Sequence, residues 1–294
     1  MTISTRGELE EGTVLERFLV ERTVRLLSRE NVQRIEFQTG ISPCSASLES
    51  RSAHELKRDL MPLVVLAAWK MLDFVVELSL VTSGSLRTKE LQRIGIEAKK
   101  EKADQRKGAD LLNNRELWDA TCDLYAGTSD IRHSLVHRRS KVDAQGTLLC
   151  DDNVGAALTP MTVEEQDAFC KVAHRVVVSA FAGKLERYAQ RDLHRHLSVL
   201  HRHGVSLPVQ AGRHPAFVRH PLRNSRVCVS DLLAESSQKF PDFEWVGIEL
   251  ETPSGILKVD LDEAPTEIVE LDLEALPSWL GRLDDGALDG RRRT

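Results

Sequence analysis

The chain has 294 residues, 41% hydrophobic and 29% charged, with a formal net charge of −5. That is room for one large or two ordinary domains around a packed core. It excludes wholesale disorder, a collagen-like repeat and a disulfide scaffold. The five cysteines (Cys44, Cys122, Cys150, Cys170, Cys228) are odd in number, scattered and without a C-x-x-C pair. They read as reduced thiols of a cytoplasmic protein, not as bridges or a zinc cage. Glu8, Glu10 and Glu11 sit where the apolar core of a signal peptide would lie. The most apolar window, 60–81, carries Lys70, Asp73 and Glu77. Each would cost roughly 2.5–3.5 kcal/mol at a bilayer centre, so a core helix is expected there and no membrane partner.

Charge is uneven along the chain. Residues 184–226 hold nine Lys/Arg against two carboxylates, a net of +7, while residues 227–294 hold 16 Asp/Glu against six Lys/Arg, a net of −10. A basic belt beside an acidic tail marks either a polyanion site or an intramolecular contact.

In chain order, Val14, Leu15, Phe18, Leu19, Val24 and Leu27 recur at helical spacing between Gly12 and Glu30. Residues 40–52, with Pro43 and several serines, read as a connection. Asp59 is expected to open a long helix with Pro62 in its first turn, stopped by Ser83-Gly84-Ser85. Residues 87–108 are charge-rich with few apolar anchors and read as a surface helix or a mobile loop. Residues 110–125 form a further amphipathic helix that Gly127 stops. A small hairpin is expected near 142–158, and Thr162 with Glu165 makes a capping box for a helix reaching His203, with a bend near Gly183. The architecture expected is mainly α. A helical domain spans 1–203, a basic linker 204–226, and a small acidic α+β domain 227–294, with Pro253-Ser254-Gly255 as a hairpin turn and Arg291-Arg292-Arg293 as a frayed end.

The chemistry gathers between residues 131 and 141, which hold Arg132, Arg138, Arg139, Lys141, His133 and His137 and no carboxylate. Gly127-Thr128-Ser129-Asp130 precedes them, with Ser129 as the expected N-cap. A helix start, free N–H groups and an arginine fork make an anion site, and a phosphodiester is its natural guest.

Arg132-His133-Ser134-Leu135-Val136-His137 resembles the R-x-x-x-x-H signature of HEPN-domain proteins, helical modules many of which are metal-independent ribonucleases. The resemblance covers roughly residues 10–203: a helix ends before the motif, a polar turn follows it, and a long helix comes after. It departs from the family at His133, where Asn or Asp is common. The resemblance implies a HEPN-like helical bundle, and an endoribonuclease in which Arg132 and His137 act on RNA as a toxin or defence factor. It further implies a homodimer with a composite cleft, an antitoxin or other protein partner, and an acid on a neighbouring helix that orients Arg132. Asp73 and Glu77 are the candidates for that acid. The residue types suit the chemistry. His137, with an ordinary pKa near 6.5, exchanges a proton with the ribose 2′-OH or the leaving 5′-oxygen, and Arg132 stabilises charge on phosphorus. On one regular helix the two lie about 140° apart around the axis. His133, Ser134, Arg138 and Arg139 are further substrate contacts, joined by Arg191 and Arg195 if the basic stripe tracks an RNA backbone. The bland alternative is a non-catalytic module that binds nucleic acid or a protein partner.

No metal or cofactor is expected. His133 and His137 have metal spacing, but no Glu follows His133 and no third ligand is evident. His194 and His201 are about 10 Å apart along a helix, too far to share one ion. Arg187, Arg191, Arg195 and Arg202 line the helix face opposite Leu185, Ala189, Leu193, Leu197 and Leu200, and a solvated face is the plain reading. Aromatics are only 5% of the chain, which argues against a base-stacking platform.

Overall fold

The computed structural model describes residues 3–28, 35–39, 47–51, 53–91, 93–207, 214–221, 226–252, 255–260, 270–272 and 281–282. It is mainly α, and it divides into two compact units: Met1–Leu185 with Leu193–Gln210, and Glu186–Asp192 with Ala211–Thr294.

The first unit is a helical assembly around one long helix. Helices α1 (Arg6–Gly12) and α2 (Val14–Ser28) are separated at Thr13 and lead to a short antiparallel pair, β1 (Ile35–Thr39) and β2 (Ser47–Arg51). Strand β2 lies within residues 40–52, the stretch expected as a plain connection, and β1 lies just before it. Helix α3 (Ala53–Thr82) starts six residues earlier than expected, so Pro62 lies inside it and not in its first turn. It is the core of the unit. Val64, Ala68, Met71, Leu72, Val75 and Leu80 are all at most 1% exposed, and α1, α2 and the helices that follow pack around it. The charge-rich stretch after it forms α4 (Thr88–Leu91) and α5 (Ile96–Asp104). Helix α6 (Arg115–Gly127) begins at Asn114, whose side chain accepts from the Leu117 N–H, and continues through Gly127. Helix α7 (Ser129–Val136) follows at once, then the hairpin β3 (Ser140–Val142) and β4 (Leu148–Cys150).

Helix α8 (Val163–Ala182) opens on the expected capping box, Thr162 with Glu165, both hydrogen bonds being present. It stops at Gly183, which takes the left-handed conformation (φ 74°) that favours glycine. The expected bend is therefore a helix end. Helix α9 (Arg187–Val199) and a 3-10 turn (His201–His203) complete the run. Leu193, Leu197 and Leu200 are fully buried. Arg202 is exposed, as its stripe predicts, and its guanidinium also donates to both oxygens of buried Glu165, at 2.8 and 2.6 Å. Burial alone would raise the Glu165 pKa, but Arg202 and the Thr162 N–H hold it down at about 2.

The second unit has a four-stranded sheet in the order β10-β8-β7-β5. Strand β5 (His214–Pro221) lies within the segment expected as a linker and pairs in parallel with β7 (Phe243–Thr252). As the last strand in the sheet order it tolerates Pro215 and Pro221, which is why proline hid it in the sequence. Strands β8 (Gly255–Asp260) and β10 (Gly281–Arg282) add antiparallel to β7, while β6 (Arg226–Cys228) pairs with β9 (Glu270–Asp272). Helix α10 (Val229–Lys239), absent from the sequence expectation, packs on β7. Pro253, Ser254 and the arginines at 291–293 lie outside the described residues. Among the described residues no helix is long and apolar enough to cross a membrane.

Candidate functional site

The motif is carried by a helix that starts against a wall. A Cβ on Gly127 would lie 2.1 Å from the His203 carbonyl oxygen, so only glycine lets α6 approach the 3-10 turn so closely. The next residue, Thr128, takes the cap position of α7, but its hydroxyl donates back to the Leu124 carbonyl at 2.7 Å. Ser129, expected as the cap, is instead the first helical residue and is fully buried. Ser129, Ile131 and Ser134 are the buried side of α7. Successive residues advance by 100°, so this seating sends Arg132 and the His133–His137 pair in different directions.

Arg132 is half-buried over aromatic rings. Its guanidinium carbon lies 5.6 Å from the centre of the Trp69 ring, and Trp69 stacks on Tyr125 at 5.0 Å. Cation–π contact of this kind holds a guanidinium without consuming its N–H donors. Behind the rings, the Tyr125 hydroxyl donates to Asp73 at 2.8 Å. Asp73 and Glu77 do not take the orienting role foreseen for them. Both accept from the Lys99 ammonium, Asp73 at 2.9 and 3.0 Å and Glu77 at 2.7 Å. Glu77 also accepts from the Ile3 N–H at 3.4 Å. Among the described residues no hydrogen bond or ion pair joins either acid to Arg132. Burial raises the Glu77 pKa against the opposing pull of Lys99. Burial also works against the charge on Lys99, but its two carboxylates prevail and raise its pKa. The Tyr125 phenol is pushed well up by burial and by the neighbouring Asp73 charge.

His133 and His137, one turn apart, present nearly parallel rings with centres 6.0 Å apart and planes inclined by 9°. His137 is exposed and forms the C-cap of α7, and His133 is half-buried. Among the described residues no hydrogen bond or ring contact joins Arg132 to His137. After His137 the chain reverses through Arg138, which has φ 57° without being glycine. The Arg138 and Arg139 N–H groups reach the carbonyls of Leu135 (3.4 Å) and Ser134 (2.9 Å), closing the helix end.

Ser134 is 1% exposed and donates to the Arg139 carbonyl at 2.8 Å, so its hydroxyl works inside the fold. Arg139 itself bonds the Asp152 carbonyl and the Asn153 side chain, at 3.0 and 3.1 Å. Arg191 and Arg195, expected on one stripe, fall in different compact units, and Arg191 pairs with the Glu244 carboxylate. Three contributors to the site carry no signal in the sequence: Trp69, Tyr125 and Lys99, the last lying in a run that reads as a solvated charge cluster. Among the described residues no group of three or more His, Cys, Asp or Glu is placed to hold a metal ion.

Helix α7 thus offers an arginine on an aromatic platform, two parallel histidines and an exposed arginine at the turn. Comparison with protein-family models, with curated proteins and with solved structures finds no match to this chain.

Proposed function

We propose that the chain is a metal-independent endoribonuclease whose first unit is a HEPN-like bundle, with Arg132 and His137 as its catalytic residues. One observation carries the reading. Arg132 has no carboxylate partner among the described residues, although half-buried Asp73 and buried Glu77 lie behind the rings that support it. A guanidinium kept uncommitted on the same short helix that ends in an exposed histidine, in a segment without carboxylates, suits an anionic guest. His137 removes the ribose 2′-OH proton, the 2′-oxygen attacks phosphorus, and the bond to the 5′-oxygen breaks. Arg132 balances the charge that develops on the nonbridging oxygens. The protonated imidazole returns that proton to the departing 5′-oxygen, leaving a 2′,3′-cyclic phosphate and a 5′-hydroxyl end.

Arg132 and His137 diverge around α7, and a homodimer brings the arginine of one copy to the histidine of the other. A toxin or defence role, with a protein partner that restrains it, is part of the same proposal. The thiols of Cys122 and Cys150, which form no disulfide, support a cytoplasmic setting. The divergence of Arg132 from His137 also favours a second reading, a non-catalytic module that binds nucleic acid.

RNA incubated with wild type and with His137→Ala, in EDTA, separates the two. Cleavage to cyclic phosphate ends in the wild type, reduced on the order of 10²–10⁴ in the variant, is the expected result. Binding without cleavage by both proteins overturns the enzyme.

A further inference from the structure

Among the described residues Lys99 is the only buried lysine, 6% exposed at the inner face of α5. An ammonium gives up much of its hydration on such burial, so its contacts must be close and complete. They are. Its Nζ bonds both oxygens of Asp73 and one of Glu77, and Asp73 Oδ1 also accepts the Tyr125 hydroxyl at 2.8 Å. Trp69, one turn before Asp73 on α3, stacks on that same Tyr125 and carries Arg132 on its ring. A carboxylate and a guanidinium built around one pair of rings ordinarily close into a bidentate pair. Here they do not, and the group that occupies the carboxylate is Lys99.

We propose that Lys99 is a positioning residue for Arg132: by saturating Asp73 and Glu77 it leaves the Arg132 guanidinium on Trp69, its donors uncommitted and open to a phosphodiester. With the ammonium removed, half-buried Asp73 and buried Glu77 are left side by side without a cation, and Arg132 is the cation within the same stack that answers them. It then swings from Trp69 to Asp73, and the anion site is lost while the fold is kept. The inference rests on Arg132 being the anion-facing residue, but its consequence is read on the guanidinium itself.

Phenylglyoxal, which adds to uncommitted arginine side chains, is the probe, with the Arg132 adduct quantified by peptide mass spectrometry on the full folded chain. Wild type forms the adduct. Lys99→Met, shown to be folded by circular dichroism, forms it slower on the order of tenfold or more, the scale of one charge-assisted contact. Lys99→Met combined with Asp73→Asn recovers the wild-type rate, because the capturing acid is gone. A folded Lys99→Met protein that reacts at the wild-type rate overturns the proposal. Asp73→Asn alone decides the matter where Lys99→Met does not fold. An unchanged Arg132 rate supports the proposal, since Asp73 is already engaged by Lys99, and a faster rate shows that Asp73 restrains Arg132 and overturns it. Should these rates behave as stated while wild type cuts no RNA, the ribonuclease reading fails and the positioning role stands.

Discussion

The Ser134 hydroxyl donates to the carbonyl oxygen of Arg139 at 2.8 Å, and the Asp151 N–H reaches that same oxygen at 3.1 Å. One carbonyl therefore ties the end of α7 to the end of β4, the second strand of the hairpin. Ser134 also contacts the buried Cys150 thiol, whose pKa burial raises and Ser134 partly lowers. Ser134→Ala is expected to cost about 1–2 kcal/mol, the loss of one buried hydrogen bond with a carbonyl left partly served. Denaturant melts measure this. RNA cleavage per folded molecule, assayed below the melting range, should stay near wild type, and a large specific loss would return Ser134 to the substrate side.

Arg138 sits at φ 57° in the helix-closing turn. The left-handed region costs an L-residue roughly 1–2 kcal/mol, partly offset for glycine by its greater freedom when unfolded. Arg138→Gly should stabilise the chain by about 0.5–1 kcal/mol. A destabilised variant would mean that the exposed Arg138 side chain makes a contact stronger than the strain it carries. Paired RNA-binding titrations then show whether the strained arginine serves the substrate.

Gly127 admits no side chain without moving the His203 carbonyl, 2.1 Å from an ideal Cβ. Gly127→Ala is expected to destabilise by about 1–3 kcal/mol, as overpacking does. Because the displaced backbone lies where α7 begins, activity should fall at temperatures where the variant is still folded. Equal activity at full folding would separate the glycine from the site.

Glu165 is held at about 2, against an ordinary value of 4.5, by Arg202 and the Thr162 N–H despite its burial. Its folded pKa lies below the unfolded one, so its stabilisation is complete above pH 4.5 and disappears as pH falls toward 2. In thermal melts from about pH 6 down to about pH 2, the gap between wild type and Glu165→Gln should narrow steadily. A gap that stays constant would show that packing, not charge, is what glutamine fails to replace.

The sequence was most legible where one residue acts on its own neighbours. The Thr162–Glu165 box is local chemistry and placed the start of α8 to the residue. Apolar spacing likewise located α3, but a proline taken as a start marker displaced its beginning, since Pro62 is carried inside the helix. Lys99 was illegible for the opposite reason. Its partners stand 26 and 22 residues away on another helix, and nothing in the run Glu97 to Asp104 distinguishes it from Lys100 or Lys102. Helix spacing alone set Arg132 and His137 about 140° apart, but which of them faces the Trp69 ring depends on the burial of Ser129 and Ile131, which the motif string does not carry. Strand β5 was lost because two prolines suit its place at the end of the sheet order but resemble linker chemistry in one dimension.

Trp69 is buried, pressed against Tyr125 on one side and lying beneath a positive charge. The protein consequently has a built-in optical reporter. A guanidinium over an indole face perturbs the excited state, and any ligand that draws Arg132 away changes that perturbation without touching the tryptophan. Emission from Trp69, isolated by replacing Trp118, Trp245 and Trp279 with Phe, would then record the occupancy of the arginine in real time, before any bond in a bound polymer is broken.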